Sequence, residues 1–340
     1  MIISRTPFRI SFFGGGTDYP GWYKENPGSV LSATINKYCY ISCRYLPPFF
    51  DYKYLIRYFH REEVKFINDI QHPSVRECLR FLDMHQGIEM VHTADIPALS
   101  GCGSSSAFTV GFLNTVYALQ GKMVGKRQLA QDAIVVEQDL IQENVGAQDQ
   151  VAVAFGGLNR IDFGGEDEFL VTPVTVSKKR VNDLQSHLML FFSGFARKAS
   201  EIASEQVKQI FAKSAQLNEM RQMVDEAVNI VNSDADIIDF GKLLDQSWQL
   251  KKTLSKKITT SAVDEMYSKA INAGALGGKL CGAGGGGFML LFVEPDKQAQ
   301  VKLALKDYLY VPFSFENQGS QIIMYSPERE MDDFGINLCL

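Results

Sequence analysis

The sequence has little of what marks several large classes of protein. Its 6 cysteines are scattered over 340 residues without a Cys-x-x-Cys pair, so neither a structural zinc site nor a disulfide-stapled fold is expected. No apolar run reaches the roughly 18 residues that span a bilayer, so no membrane partner is predicted. Positive charge is not in excess, since 34 lysines and arginines stand against 39 acidic residues. The formal net charge of -5 therefore argues against a nucleic-acid partner.

The composition is that of a folded, cytoplasmic protein. Arg5 and Arg9 interrupt the first apolar segment, so the N-terminus is not expected to be a secretory signal. With 46% hydrophobic and 21% charged residues, the chain has an ordinary globular composition, and its length suggests two domains. The predicted elements become mostly helical after Lys178-Lys179-Arg180. We interpret these three residues as a solvated connector. We therefore predict domains at residues 1–180 and 181–340, while the oligomeric state stays open.

Hydrophobic patterning predicts a mixture of strands and helices. Strands are favoured over Ile2–Phe13 and Ser29–Leu46, and helices over Ala107–Leu119 and Arg127–Glu143. The segments Val151–Phe163 and Phe169–Val176 are predicted to be strands joined by a turn at Gly164-Gly165. Three glycine clusters interrupt this pattern, and they are the most informative feature of the sequence.

The central cluster has the composition of a phosphate-binding loop. Its glycines let backbone N–H groups approach an anion, and the helix that follows adds unpaired donors and a partial charge of roughly +0.5. Serine hydroxyls can bind phosphate or a magnesium ion. No Gly-Lys-Ser/Thr follows, and Ser106 stands where a third glycine would complete a dinucleotide fingerprint, so neither common nucleotide motif is present. The predicted phosphate-binding residues are Gly101, Cys102, Gly103, Ser104, Ser105 and Ser106. The alternative is that this segment is an ordinary turn with Ser104 as the N-cap of the following helix.

Two further glycine clusters lie near the two ends of the chain. Gly14–Gly16 places Arg9 and Asp18 on either side of a flexible turn, and the alternative here is a hairpin with Asp18 as a turn residue. Gly282–Gly287 contains four consecutive glycines, which no helix or strand interior favours. Close approach of the backbone to a ligand is the better interpretation of this third cluster.

The three loops together resemble the galactokinase–homoserine kinase–mevalonate kinase–phosphomevalonate kinase superfamily. Pro97–Ala107 is similar to its second motif, with Cys102 in the usual leucine position, and the first and third motifs are similar to Arg9–Tyr19 and Gly282–Gly287. The Gly-Gly-Gly-Thr-Asp-Tyr form of the first loop, together with Gly146–Gln150, looks like the sugar-1-kinases that act on D-glycero-D-manno-heptose 7-phosphate. Galactokinases carry Glu-His in place of the last two glycines, so their galactose contacts are missing here.

The resemblance implies an α+β kinase of two domains, with ATP and the acceptor bound between them. The N-terminal domain would have a ribosomal-protein-like fold and the C-terminal domain a ferredoxin-like fold. The implied cofactors are ATP and Mg²⁺, and the implied reaction phosphorylates the anomeric hydroxyl of the heptose 7-phosphate for nucleotide-activated heptose and surface polysaccharide. Rival interpretations are a kinase of an unphosphorylated sugar such as L-fucose and a non-catalytic sugar–ATP sensor. A decarboxylase of the diphosphomevalonate type is disfavoured by the first loop.

The resemblance also implies roles for individual residues. Asp149 would face the acceptor hydroxyl and accept or orient its proton, and Arg9 would pair with Asp149 or with the transferring phosphoryl group. Ser105 and Glu137 are the implied magnesium pair. Asp18 would accept a sugar hydroxyl, and the whole predicted substrate-binding set is Gly15, Gly16, Thr17, Asp18, Tyr19, Arg197, Gly284 and Gly285.

Two side chains carry more specific expectations. Arg197 follows a Ser-Gly turn at the end of an apolar strand, so we expect it to hold a substrate phosphate; the alternative is an exposed arginine at a helix start. Cys102 lies beside a predicted helix N-terminus, where a thiol pKa is usually lowered, so we expect a reactive cysteine.

Overall fold

Two β-sheets with helices packed on them form the part of the chain that the structure describes. The computed structural model describes residues 1–98, 100–165, 168–194, 202–205 and 211–327. The strands are β1 (Ile2–Phe13), β2 (Gly28–Tyr45), β3 (Tyr54–Arg57), β4 (Arg61–Val64), β5 (Ile88–Ala94), β6 (Leu158–Phe163), β7 (Phe169–Pro173), β8 (Leu188–Gly194), β9 (Ala275–Leu280), β10 (Gly287–Val293), β11 (Leu309–Tyr310) and β12 (Gln321–Tyr325). The helices are α1 (Pro20–Tyr23), α2 (Pro73–Phe81), α3 (Ser104–Leu119), α4 (Lys126–Ile134), α5 (Gln148–Phe155), α6 (Lys178–Ser186), α7 (Ser214–Asn232), α8 (Ile238–Lys252), α9 (Ser261–Asn272) and α10 (Gln298–Ala304). A π-helical segment, Val135–Leu140, continues α4, and short 3₁₀ turns lie at Ile67–Asp69 and Phe211–Lys213.

The larger sheet is built around the long strand β2. Its strand order is β12-β1-β2-β5-β3-β4, and β6 and β7 extend it from the first half of β2. The pairs are antiparallel except that of β3 with β5. Because β12 pairs with β1, the last described strand belongs to the same sheet as the first. The domain boundary at residue 180 stays a prediction.

The smaller sheet has the antiparallel order β11-β8-β10-β9. The sequence did not predict β9, because Gly277 and Gly278 lie inside it and glycine disfavours strands. In the structure a Cβ at Gly277 would overlap the carbonyl oxygen of Gly241 in α8. The glycine therefore allows the helix to lie directly on the strand.

Most predicted elements are confirmed, but the prediction of a strand over Val151–Phe163 is wrong for its first half. Residues 148–155 form α5, Gly156 ends the helix with a φ of +72°, and the strand begins only at Leu158. The N–H of Ala147, at the helix start, donates to the carbonyl of Asp18 at 2.8 Å. This contact is distant in sequence, and it outweighs the local β-propensity of valine.

The interpretation of Lys178-Lys179-Arg180 as a connector is also wrong, although Lys178 and Lys179 are solvent-exposed as expected. These residues open α6, whose N-cap Ser177 accepts the N–H of Arg180 at 3.2 Å. The Arg180 guanidinium donates to the carbonyl oxygens of Ile230 and Ala235, both at 2.6 Å. Arg180 therefore fixes α6 to the C-terminal end of α7.

Aromatic packing joins the end of β1 to the second half of the chain. The ring of Phe240 in α8 makes edge contacts with Phe12 at 5.4 Å and with Phe13 at 5.1 Å. All three rings are buried. Such pairs add roughly 0.5–1.5 kcal/mol beyond their buried area. The loop that follows β1 is thereby held against the elements that carry the third glycine cluster.

A half-buried histidine at the start of α2 gives a prediction about acid stability. Burial lowers the pKa of His72 from 6.5 to about 4, while its Nδ1 accepts the N–H of Val75 at 3.5 Å. Between these pH values the unfolded chain binds a proton that the folded chain does not, so the free energy of unfolding falls as pH drops below about 6.5. At pH 5 the loss amounts to roughly 2 kcal/mol.

The variant His72→Asn keeps a capping acceptor but removes this titration. We expect its stability to decline less than that of the wild type between pH 7 and pH 5, as measured by urea denaturation at both values. If the free energy of unfolding declines equally in the two proteins, His72 does not contribute to the loss of stability at low pH.

Candidate active site

The three glycine loops meet at one place in the fold. We name them loop one (residues 14–18), loop two (residues 101–106) and loop three (residues 282–287). The N–H of Arg9 donates to the carbonyl of Cys102 at 3.1 Å, and the N–H of Phe288 donates to the carbonyl of Ser100 at 3.0 Å. A Cβ at Gly101, which has a φ of +82°, would overlap the carbonyl oxygen of Cys281. Loops two and three therefore touch through their backbones, and only glycine fits at position 101.

Loop two presents the open end of α3. The N-cap is Gly103, with a φ of +74°, and no side chain in the described residues caps the helix. The alternative with Ser104 as N-cap is therefore wrong. The first N–H groups of α3 remain available to an anion, and the helix dipole favours negative charge there. Ser104 is partly exposed, Ser105 is exposed and Ser106 is buried.

Arg9 and Asp149 form a two-bonded ion pair beside this helix end. Nε of Arg9 donates to Oδ1 at 2.6 Å and Nη2 donates to Oδ2 at 2.5 Å, while Nη1 donates to the carbonyl of Gly101 at 2.8 Å. Burial alone would lower the pKa of Arg9, but the Asp149 carboxylate outweighs it and holds that pKa raised. A Cβ on Gly103 would lie 3.3 Å from Oδ2 of Asp149. The pair therefore adjoins loop two directly.

Asp149 remains reachable although its partner is enclosed. Its side chain is 23% exposed, against 4% for that of Arg9. A carboxylate with a fixed cation on one side and an open face on the other can orient a hydroxyl or accept its proton. The structure thus brings together the two residues predicted to be catalytic.

Glu137 is fully buried behind loop two. Its Oε2 accepts the hydroxyl of Ser106 at 2.8 Å and the side-chain amide of Gln150, whereas Oε1 has no hydrogen-bond partner within the described residues. Burial raises the pKa of Glu137 to about 8. Of the loop-two serines, it is Ser106, one residue beyond the predicted Ser105, whose hydroxyl bonds to Glu137. The pairing of Ser105 with Glu137 stays a prediction.

Asp18 supports the helix that carries Asp149. It is 1% exposed, and its Oδ1 accepts the N–H of Gly16 at 2.8 Å. Burial raises the pKa of Asp18, against the opposing effect of the N–H groups of Gly16 and Gln148. A Cβ at Gly146 would overlap Oδ2, so the glycine there admits the carboxylate. Asp18 therefore fixes the start of α5, and its predicted contact with a sugar hydroxyl stays a prediction.

Most of the other predicted substrate residues contact other parts of the protein. The hydroxyl of Thr17 is buried and lies 2.8 Å from the carbonyl oxygen of Gly14. Tyr19 is 9% exposed and packs in the core around the smaller sheet. The N–H of Gly285 donates to the carbonyl of Ile258 at 2.9 Å, and a Cβ at the neighbouring Gly284 would lie 2.7 Å from the same oxygen. Arg197 lies outside the described residues, and the contacts of Gly15 are taken up below.

Two buried lysines are site residues that the sequence analysis missed. Nζ of Lys251 donates to the carbonyl of Gly282 at 2.5 Å, and Nζ of Lys279 donates to the carbonyl of Phe12 at 2.9 Å. Burial lowers their pKa values to about 8 and about 7. The sequence held a signal for Lys251, which lies at an apolar position of its helix, but not for Lys279, because β9 was not predicted. Through its Nζ, Lys251 holds loop three and Lys279 holds the end of β1.

The expectation of a reactive Cys102 is wrong. Its side chain is fully buried, and its hydrogen bond to Cys281 together with burial raises its pKa well above the ordinary value. The same hydrogen bond lowers the pKa of Cys281, with Lys279 acting in the same direction. The hydrogen bond to Cys281 and burial therefore outweigh the effect of the helix N-terminus at Cys102.

An apolar pocket opens beside loop two. The ring of His72 stacks on Phe108 with centroids 4.5 Å apart and an interplanar angle of 23°. Burial lowers the pKa of both His72 and His92, so both rings are neutral near pH 7. The pocket offers flat uncharged surfaces next to the helix end; its lining includes Phe8, Tyr58, Phe59, His72, His92, Ala94, Ile96, Ser104, Ser105 and Phe108.

Within the described residues, no helix combines the length and the apolar character needed to cross a bilayer.

Comparison with known proteins identifies relatives along nearly the whole chain. A D-glycero-alpha-D-manno-heptose 7-phosphate kinase of Campylobacter jejuni is 30% identical over 333 residues, which cover 94% of this chain and 97% of the relative. An L-fucokinase/L-fucose-1-P guanylyltransferase of Bacteroides fragilis is 26% identical over 349 residues, 89% of this chain and 35% of that longer protein. The crystal structure of a D-glycero-D-manno-heptose 1-phosphate kinase from Bacteriodes thetaiotaomicron superposes with a TM-score of 0.78 at 22% identity, covering 96% of this chain and 100% of that one.

Family profiles agree with these similarities. Residues 72–157 match the GHMP kinases N terminal domain, and residues 225–311 match the GHMP kinases C terminal profile. The first match contains loop two, Glu137 and Asp149, and the second contains Lys251, Lys279 and loop three. The expected α+β fold of two domains is confirmed. With these matches, and with a relative 30% identical over 94% of this chain, the chain belongs to the GHMP kinase family.

Proposed function

We propose that this protein transfers the γ-phosphoryl group of ATP to the anomeric hydroxyl of D-glycero-D-manno-heptose 7-phosphate. The observation that carries the proposal is the Arg9–Asp149 pair set against Gly103, at the open end of α3. The name of the Campylobacter jejuni relative supports the choice of sugar. The product would be used for nucleotide-activated heptose in the synthesis of a surface polysaccharide.

The chain's own residues supply positioning and charge. The bond between the acceptor oxygen and the γ-phosphorus forms while the bond from that phosphorus to the ADP oxygen breaks. Asp149 orients the acceptor hydroxyl or takes its proton, and Arg9 holds Asp149 in place by two bonds. The free N–H groups at the start of α3 face the phosphates.

The residues around Glu137 fit Mg²⁺. No group of three or more histidine, cysteine or acidic side chains within the described residues could hold a metal alone. Mg²⁺ in kinases instead takes one or two carboxylates together with substrate phosphates and water. The unpartnered Oε1 of Glu137 and the hydroxyls of Ser105 and Ser106 are hard oxygen donors of this kind. Bound with ATP, the ion would neutralise charge on the phosphates.

We assign the apolar pocket beside loop two to the adenine base. Its neutral rings suit a flat heteroaromatic base, and Ser104 and Ser105 join the pocket to the phosphate-binding helix end. Filling the pocket with Ala94→Trp is expected to raise the KM for ATP about 10-fold and to leave the KM for the sugar unchanged.

The matched control is Thr93→Trp. Thr93 is the preceding residue of β5, is also exposed, and its side chain points to the opposite face of the strand. Steady-state kinetics with both variants checks the assignment. If both tryptophans change the KM for ATP equally, the base binds elsewhere.

A kinase of an unphosphorylated sugar remains the second candidate. The similarity to the Bacteroides fragilis L-fucokinase over 89% of this chain favours it. The non-catalytic sensor is disfavoured, because the Arg9–Asp149 pair and the open end of α3 are both formed.

A panel of sugars and sugar phosphates, assayed for ADP release with ATP and Mg²⁺, tests the proposal. We expect the highest kcat/KM with the heptose 7-phosphate and a lower value with the same heptose lacking its phosphate. A higher kcat/KM with L-fucose would select the second candidate. Binding of ATP without ADP release on any acceptor would select the sensor.

A further inference from the structure

Gly15 is a glycine of loop one that neither conformation nor protein packing requires. Gly14 and Gly16 have φ values of +81° and +110°, and a Cβ at Gly14 would overlap the carbonyl oxygen of Ser29. Gly15 has no positive φ, and the nearest atoms to a Cβ there would be Nε2 of Gln148 at 3.7 Å and Oγ of Ser11 at 3.9 Å. These are ordinary contact distances. The missing side chain therefore leaves a space, and two polar side chains bound it.

Both polar side chains have atoms that the protein does not satisfy. Oγ of Ser11 and Oε1 of Gln148 are buried and have no hydrogen-bond partner within the described residues. Ser11 itself is 4% exposed. Buried polar atoms are almost always hydrogen-bonded, and leaving them unpaired is costly. Oγ of Ser11 lies beside the space itself, and Oε1 belongs to the amide whose Nε2 lies beside it, so both side chains indicate a ligand group there.

The space lies one step from the reacting groups. Ser11 follows Arg9 by two residues on β1, so the two side chains lie on the same face about 7 Å apart along the strand. Gln148 directly precedes Asp149 at the start of α5. Arg9 with Asp149, and Ser11 with Gln148, therefore form two adjacent polar pairs. The distance of about 7 Å between the Arg9 and Ser11 side chains is comparable with the span of a sugar ring.

The chemistry of the second pair favours a neutral hydroxyl over a phosphate. A serine hydroxyl and a side-chain amide each offer both a donor and an acceptor, and a sugar hydroxyl does the same. The amide oxygen would repel an anion, and the carboxylates of Asp18 and Asp149 lie close by. Among the residues that the structure describes, no lysine or arginine lies within 4 Å of the Gly15 Cβ position.

We propose that Ser11 and Gln148 form a specificity subsite that hydrogen-bonds a ring hydroxyl of the acceptor sugar other than the one phosphorylated. Gly15 leaves the room that this hydroxyl occupies. The proposal rests on the proposed function, since it needs a sugar acceptor at Asp149. It assigns the discrimination between sugars to side chains outside the glycine motif itself.

Gly15→Ala and Gln148→Leu test the subsite. Each is expected to raise the KM for the preferred sugar about 10–100-fold and to leave the KM for ATP unchanged. The matched control is Gly125→Ala, because Gly125 has a φ of -76° and no described atom lies within 4 Å of its Cβ position. The control is expected to keep wild-type kinetics, and thermal melting should give similar Tm values for both glycine variants.

Acceptor analogues that each lack one ring hydroxyl decide between recognition and a structural role. The wild type is expected to discriminate about 10–100-fold against one of these analogues, and Gln148→Leu to lose that discrimination while keeping the others. A Gln148→Leu variant that keeps the wild-type pattern of discrimination overturns the subsite, whatever its KM. A protein that phosphorylates no sugar refutes the proposed function and the subsite together, whereas normal turnover with unchanged discrimination refutes the subsite alone.

Discussion

Replacing Asp149 with asparagine is expected to lower kcat roughly 100- to 10,000-fold while the Kd for ATP changes little. The amide keeps the size of the side chain but cannot take a proton, and it can accept only one of the two bonds from Arg9. Turnover with the preferred sugar and ATP binding by calorimetry are the two measurements. A variant with near-normal kcat would remove Asp149 from the mechanism.

Asp162→Asn is the matched control for this change. Asp162 also pairs with an arginine, Arg160, at 2.9 Å, and its side chain is 33% exposed against 23% for Asp149. The control breaks a comparable ion pair in β6 without touching the three loops. We expect its kcat to stay within about twofold of the wild type, since exposed pairs contribute little.

Replacing Arg9 with methionine is expected to lower kcat at least roughly 100-fold and to destabilise the fold by about 3–5 kcal/mol. The change removes both bonds to Asp149 and the bond to the carbonyl of Gly101. Because Arg9 is 3% exposed, water cannot fully replace those donors. Arg9→Lys keeps the charge but cannot bond both carboxylate oxygens and the carbonyl together, so we expect an intermediate kcat.

Kinetics and urea denaturation of the two Arg9 variants check this prediction. Arg160→Met is the control, since Arg160 joins Asp162 and Asp225 at 2.9 and 2.6 Å on a half-exposed part of the surface. It should keep normal kcat. Equal kcat in Arg9→Met and the wild type would show that the guanidinium serves the fold alone.

The glycine loops were the part of the site that the sequence predicted best. Backbone approach requires glycine whatever surrounds it, so Gly101 and Gly103 mark loop two by composition alone. The pairing of Arg9 with Asp149, 140 residues apart, came from the resemblance of the motifs and is present in the structure.

Residues whose role depends on distant contacts were harder to predict. Asp18 was assigned to the sugar from its motif, but its carboxylate lies at the start of α5, 130 residues further along the chain. That contact also explains why Val151–Ala154 is helical although its valines favour a strand. Lys251 and Lys279 carry no motif at all. The fold shows that both are buried at the meeting point of the loops.

Phosphorus NMR of the product formed from heptose 7-phosphate, ATP and Mg²⁺ tests the central claim most directly. The account predicts one new phosphate monoester signal that is split by coupling to the anomeric proton, together with an unchanged 7-phosphate and one ADP for each product molecule. A new phosphate on any other hydroxyl, or ADP formation without a new sugar phosphate, would contradict it.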